Sequence, residues 1–340
     1  MTTRWLAAVT DTHARRLREL DPILAAPRPF EPLEETTRGD TQLLTATAGR
    51  SRAAGLARTS HQRPIEFASC FGALRHHSLY AHLDGPDLAE ALRALLETWR
   101  ERLATDDPTE IETAASITWP SRDTAPLPAL AQYGFSPTAV IAVRGAAAAA
   151  AADIADAGRA QTTEGLHPES NVRIRVAEPE DLESAVSLHM ELLRFDEQFG
   201  TCTVRAATED ALRANLASSL ARGDGTHILA ERYGKPVGLA IVSLPEHTGW
   251  LTGLVAADRI GYVACLSVRA TFRGQGLGRA LMRVAHRRLY DSGVDTILLH
   301  HALANPHSTP FWCALGYRPL WTQWAARPGT PMFPPPPRRP

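Results

Sequence analysis

The sequence predicts an α/β protein made of two tandem domains, each a mixed, mostly antiparallel central sheet flanked by helices. Three observations predict it. Residues 262–290 run as an apolar strand, a basic glycine-rich turn and a helical pattern in series. Residues 296–324 read as strand, short helix and strand. That closing segment has an echo 182 residues earlier, where Pro128, Gly134 and Phe135 stand in the places of Pro310, Gly316 and Tyr317, with Pro137 matching Pro319. A repeat of this kind signals a duplicated unit.

The elements follow in order. The first twenty residues lack the apolar core of a secretion signal and pattern as an amphipathic helix. Leu79–Leu83 reads as a strand, and Leu88, Leu92, Leu95, Leu96 and Trp99 form one apolar helix face. Ala115–Trp119 is the strand before the first closing segment. Gly145, seven alanines and a polar stretch have too little apolar content for a core, so 145–170 reads as a linker. Val172–Arg175 is a strand and Ala177–Leu182 opens a helix. Thr226–Arg232 and Pro236–Leu244 form a hairpin around Gly234 and Lys235. Ile297–Leu299 is a buried strand. Asn305 to Pro310 can start a helix, with a polar cap and proline in the first turn. Phe311, Trp312 and Leu315 give that helix its apolar face, and Gly316 ends it. The tail from Arg327 to Pro340 carries four consecutive prolines and no hydrophobic period. The expected division is 1–144, linker 145–170, 171–326 and tail 327–340.

Composition excludes several classes. With 36 basic and 37 acidic residues, nothing argues for nucleic acid or an anionic membrane as partner. The four cysteines fall in no metal-ligand spacing, so no metal is expected. No apolar run approaches the roughly 20 residues of a membrane span. A reduced, cytoplasmic protein is the consistent reading, and homodimerisation is left open.

The turn at 273–279 carries the chemistry. Backbone N–H groups at a helix start have no intrahelical partners, and the helix dipole adds positive potential, so the turn suits a pyrophosphate. No Lys-Ser or Lys-Thr follows the glycines, which excludes a P-loop. Glycines at 274, 276 and 278 do not have the dinucleotide-fold spacing. They fit [QR]-x-x-G-x-[GA] through Arg273, Gly274, Gln275, Gly276, Leu277 and Gly278. This motif resembles the acyl-CoA loop of the GCN5-related N-acetyltransferases (GNAT), and the closing segment is similar to that family's as well. The resemblance covers about residues 171–325.

The resemblance implies an acetyl-CoA (acyl-CoA) site and transfer of the acetyl group to a primary amine of a small molecule or peptide by direct attack. The strand before the loop would bulge and splay, and Leu266, Ser267 and Val268 would meet the pantetheine arm. Residues Arg273, Gly274, Gln275, Gly276, Leu277, Gly278 and Arg279 would cradle the pyrophosphate, and Asn305 would touch the arm. The Leu266 N–H would stabilise the oxyanion. The family's tyrosine acid falls at Trp312, which is no useful acid, so Ser308 or water stands in. Tyr317 takes a packing position. His300, His301 and Glu246 are the candidate bases. Adjacent strand residues face opposite sides, so at most one histidine points inward. Asp196 and Glu197 end the first helix of this half, where they could attract a cationic amine. A non-catalytic acyl-CoA-binding regulator is the alternative.

The first half lacks the loop. With Leu79–Leu83 laid on Tyr262–Leu266, seven residues stand where the second half has thirteen before the helix match at Ala91 and Ala280, and Asp84 and Asp87 would repel a phosphate. The first half is therefore expected to keep the fold without the cofactor.

Overall fold

The computed structural model describes residues 3–30, 41–103, 112–145, 172–327 and 329. The chain runs α1 (Thr3–Leu20), β1 (Thr41–Ala48), β2 (Ser51–His61), β3 (Arg75–Asp84), α2 (Leu88–Leu103), β4 (Thr113–Pro120), α3 (Leu127–Gln132) and β5 (Ser136–Gly145). It continues β6 (Val172–Val176), α4 (Leu182–Glu197), α5 (Thr208–Leu220), β7 (His227–Arg232), β8 (Lys235–Ser243), β9 (Ile260–Val268), α6 (Leu277–Asp291), β10 (Thr296–Ala302), α7 (Ser308–Ala314) and β11 (Arg318–Ala326). Most of the expected linker and proline tail lies outside the described residues.

Among the described residues, eleven strands join one sheet in the order β1-β2-β3-β4-β11-β5-β10-β9-β8-β7-β6. The sequence led to two sheets; the structure fuses them because each half lends its last strand to the other. β5 pairs with β10 and β11 pairs with β4, both antiparallel. β5 and β11 also pair with each other at the centre.

That central pair carries the symmetry of the repeat. Val140 faces Thr322, 182 residues on. Ala139↔Gln323 is mirrored by Ile141↔Trp321, Pro137↔Trp324 by Ala142↔Pro319, and Ser136↔Ala325 by Val143↔Arg318. Every pair maps onto another in the same register under the same shift, irregularities included, so a pseudo-twofold axis passes through Val140 and Thr322.

The cores follow the helices. Leu79, Ala81 and Leu83 pack with the α2 face of Leu92, Leu95, Leu96 and Trp99. Val263 packs with Leu281, Met282, Ala285 and Leu289 of α6, and Leu266 and Val268 border that cluster. On the opposite face, α4 and α5 cover Leu239, Ile241 and Cys265.

Candidate active site

β9 and β10 run parallel but pair only from Ile260↔Thr296 to Val263↔Leu299. β9 continues to Val268 and β10 to Ala302, so the strands part. The parting starts where β9 bulges: Ile241 pairs with Cys265 and Val242 with Val263, which leaves Ala264 as the extra residue. Beyond it, the Arg269 N–H bonds Val237 O at 2.9 Å, toward β8. By alternation Leu266 and Val268 turn their N–H and C=O groups into the wedge. Ser267 turns its backbone toward β8, and its buried hydroxyl finds no hydrogen-bond partner among the described residues.

The wedge leads to the glycine loop. Gly274 and Gly276 have φ of +75° and +79°, and a Cβ built on either meets nothing within 4 Å. Gly276 caps α6 with no side-chain hydrogen bond, so the first-turn N–H groups face an open, exposed turn. A phosphate fits such a cradle, and the left-handed φ is what requires glycine there. Gly278 has a different reason: its Cβ would meet Phe311 at 3.3 Å, so it lets α6 approach α7.

The loop's basic residues are held by the fold. Arg273 donates from Nε to Val268 O at 3.0 Å, lies 3.6 Å from Glu191, and stacks over Phe195 at 4.9 Å. Arg232, at the end of β7, donates to Gln275 Oε1 at 2.5 Å and sits over the Phe272 ring. Sequence reasoning missed Arg232, because only the register of β7 against the distant loop brings it there. Arg279 lies in the first turn of α6.

Across the wedge mouth, α4 reaches the segment after β10. Asn305, buried, donates from Nδ2 to Asp196 Oδ1 at 2.9 Å and accepts the His307 N–H at 3.0 Å. Phe195 stacks on His307. Burial raises the Asp196 carboxyl above its ordinary value, against the lowering by Asn305 and Arg273. Glu197 instead accepts the Val204 N–H at 2.7 Å and shapes the loop after α4.

His300 is the first β10 residue past the paired stretch. Its Nδ1 lies 3.0 Å from the Tyr262 hydroxyl. Trp250, 60% exposed, stacks on the imidazole at 6.0 Å and meets Tyr262 edge-on at 5.0 Å. The residue is exposed, yet the protein packed around the ring desolvates the charged form and pushes it down to about 4. Burial raises the Tyr262 hydroxyl. Tyr262 and Trp250 were not legible as site residues, since a parallel register has no local sequence signal. His301 points to the other face, buried, with Nδ1 3.1 Å from Ala302 O. Glu246 is exposed on the turn after β8 and makes no hydrogen bond or ion pair among the described residues. Ser308, half-buried, opens α7. Trp312 packs edge-on against Phe311 and Tyr317, and Tyr317 is buried with its hydroxyl 2.8 Å from His286 Nε2.

A splayed parallel pair ending in a helix-capping glycine loop is the geometry that the sequence motif implied. The Acetyltransferase (GNAT) family model matches residues 188–317. Residues 188–317 thus carry the GNAT family match. Among solved structures, a GCN5-related N-acetyltransferase from Sphaerobacter thermophilus is 16% identical, with 82% of each chain covered and a TM-score of 0.49. A tandem GNAT protein from the clavulanic acid biosynthesis pathway is 15% identical, covering 96% of this chain and 97% of that one, at 0.44. An aminoglycoside N-acetyltransferase in complex with CoA is 20% identical, covering 46% of this chain and 93% of that one, at 0.35. The chain matches none of the curated proteins compared with it. GNAT proteins bind acyl-CoA and transfer acetyl groups in general. Among the described residues no helix is long and apolar enough to cross a membrane, and no group of residues could hold a metal ion.

The first half keeps the wedge and fills it. β3 and β4 pair only from Arg75↔Thr113 to Ser78↔Ser116. The parallel registers set His76 beside Ile260, and the helix-facing residues set Leu79, Ala81 and Leu83 beside Val263, Leu266 and Val268. This corrects the alignment read from sequence by one residue before the bulge and two after it. The loop to the helix is then 84–87 against 269–276, a deletion of four residues rather than six. The bulge, invisible in the apolar pattern, caused the slip.

Proposed function

We propose that residues 171–326 form an acetyl-CoA-dependent N-acetyltransferase acting on a primary amine of a small molecule or peptide, while residues 1–144 bind no acyl donor. The observation that supports this most is the open wedge between β9 and β10, running into two left-handed glycines at the start of α6. The donor supplies an activated thioester; the remaining work falls to the chain. First-turn N–H groups from Gly274 to Arg279 hold the pyrophosphate, with Arg273 and Arg232 adding charge. The Leu266 backbone groups and the Val268 N–H receive the pantetheine arm as a strand would, the Val268 C=O being held by Arg273, and Asn305 meets it from the α7 side. The Leu266 N–H donates to the carbonyl oxygen as charge develops there.

The amine must lose a proton, because an alkyl amine near pKa ~10 is mostly charged at neutral pH. In this reading His300 takes the proton at Nε2 while Nδ1 shares a hydrogen with Tyr262. Desolvation by the surrounding protein keeps that imidazole neutral, which frees it to accept a proton but weakens it as a base. Asp196, half-buried and held by Asn305, faces the acceptor side in this reading. Ser308 or water returns a proton to the leaving thiolate.

Calorimetry with acetyl-CoA on wild type and Gly276→Trp tests the donor site. Micromolar binding, abolished by the substitution, is expected, followed by CoA release on screening primary amines. Binding that survives Gly276→Trp would sink the site. Binding without turnover on any amine would favour the regulator alternative.

A further inference from the structure

The connection between α4 and α5, residues 198–207, carries the end of the wedge-lining helix. Its backbone is tied to the proposed acceptor side: the Phe199 N–H and the Thr201 hydroxyl both bond Asp196 O, and the Val204 N–H bonds Glu197. Its outer side is tied to the other half of the molecule. The β2–β3 connection contains a short 3-10 turn, Phe67–Phe71, that lies against this loop. The Thr203 N–H donates to Cys70 O at 2.8 Å. Cys70, 1% exposed, shares a buried cluster with Cys202. Phe67 meets His189 of α4 edge-on.

Arg205 closes this junction. Its guanidinium donates to Ser69 O at 2.6 Å and to Gly72 O at 2.9 Å, and its Nε donates to Glu112 at 2.8 Å. The side chain is only 12% exposed. One planar group thus satisfies the carbonyl end of a turn in the first half and a first-half carboxylate, from a loop of the second half. That is the bidentate, multi-partner use for which lysine is a poor substitute. A loop anchored only to its own domain needs no such contacts.

We propose that Arg205 is a positioning residue for the acceptor: it pins the 198–207 loop, and Asp196 with it, to the first half. The first half thereby shapes the acceptor side of the second without touching donor. The inference rests on reading the β9–β10 cleft as the acyl-transfer site.

The test uses the full chain with Arg205→Ala, Arg205→Lys and Glu112→Gln. The probes are acetyl-CoA, the primary amine giving the fastest CoA release in the screen, and iodoacetamide read by mass spectrometry. Cys313, the exposed cysteine, serves as internal reference. In Arg205→Ala the amine KM should rise about tenfold with kcat nearly unchanged, the pattern for lost uniform binding, while acetyl-CoA affinity stays within about twofold. Cys70 and Cys202, buried in wild type, should label about tenfold faster relative to Cys313, because loop opening exposes them. Arg205→Lys, which keeps the charge but cannot reach all three partners at once, should recover only a small part of either effect, and Glu112→Gln should show a smaller version of each. Wild-type labelling and amine KM in Arg205→Ala would overturn the proposal. So would equal losses for donor and amine, which mark general loosening. If Arg205→Ala does not fold, the other two variants decide on the same criteria. Failure of wild type to bind acetyl-CoA would refute the acyl-transfer reading, and the labelling ratio would still separate a clamped loop from a free one.

Discussion

The two parallel-strand wedges of this molecule have matching architecture and opposite contents. In the second half β9 and β10 part after the Val263–Leu299 pair, and α6 starts on a glycine with no capping side chain. In the first half His13 of α1 enters the wedge between β3 and β4. Its Nδ1 accepts the Leu83 N–H at 3.4 Å, its ring stacks on His82 at 4.9 Å, and it meets Trp119 of β4 at 5.8 Å. Leu83 matches Val268, whose backbone faces the open wedge. The chain's own imidazole therefore takes the backbone donor that the second half leaves to a ligand. The start of α2 is closed in the same spirit: Asp87 accepts the Glu90 N–H at 2.9 Å, an internal N-cap. Splayed strands are thus not enough for a binding site; what matters is whether the sequence fills the gap itself.

The most disruptive way to break the comparison is to give α6 the cap of α2. Gly276→Asp places a carboxylate at the helix start, where it can satisfy the first-turn N–H groups. Aspartate tolerates left-handed φ better than most residues. Its Cβ enters open space, so the fold should survive, with unchanged circular dichroism. Acetyl-CoA affinity should fall by about a hundredfold or more through like-charge repulsion and lost N–H donors. Retained affinity would mean that the helix start does not hold the phosphates.

The converse change empties the first wedge. His13→Ala removes a buried ring and leaves the Leu83 N–H without its acceptor. It should cost about 2–4 kcal/mol, from cavity and unsatisfied-donor terms together. Denaturant unfolding measures this. Calorimetry should still find one acetyl-CoA per chain, since Asp84, ion-paired to Arg52, and Asp87 guard the missing loop. Two bound molecules would show that His13 alone silences the first half.

Much of this contrast was legible in the sequence. Arg273 to Gly278 announced the loop by fixed spacing, and the closing segments announced the repeat because Pro, Gly and aromatic residues mark chain geometry directly. The fusion of the sheets was not legible: β5 and β11 read the same whether they pair within their own half or across. Nor was the Tyr262–His300 pair, since nothing local to either residue reports a parallel register. The bulge at Ala264 also left no mark, as every residue from Tyr262 to Leu266 suits either face of a buried strand.

Acid should unfold both halves together. Burial holds His82 in the first half, and His189 and His227 in the second, down at about 4. Each folded-state value lies below the unfolded value near 6.5, so below pH ~6.5 the unfolded chain binds more protons. Stability supplied by these neutral rings is complete above pH ~6.5 and is lost as pH falls toward about 4. Tm should therefore drop across that window. His82→Gln and His189→Gln should each flatten the drop by a similar amount, one acting from each half. An unequal effect would show that the two halves do not unfold as one unit.

The smallest expected effect sharpens the charge contrast at the two loops. In the first half the strand end presents Asp84, already neutralised by Arg52. In the second, Arg232 stands beside the loop, tied to Gln275 and stacked over Phe272, with no carboxylate bonded to it among the described residues. A guanidinium held so close to a phosphate cradle contributes mainly long-range attraction, which solvent and salt weaken. Arg232→Gln should weaken acetyl-CoA binding only about threefold to fivefold at low salt, because an exposed charge contact is worth at most about 1 kcal/mol. Calorimetry at low and high salt should show the difference from wild type shrinking as salt rises. A loss that ignores salt would instead mean that Arg232 acts by shaping the loop through Gln275. In that case Gln275→Ala should reproduce it in full.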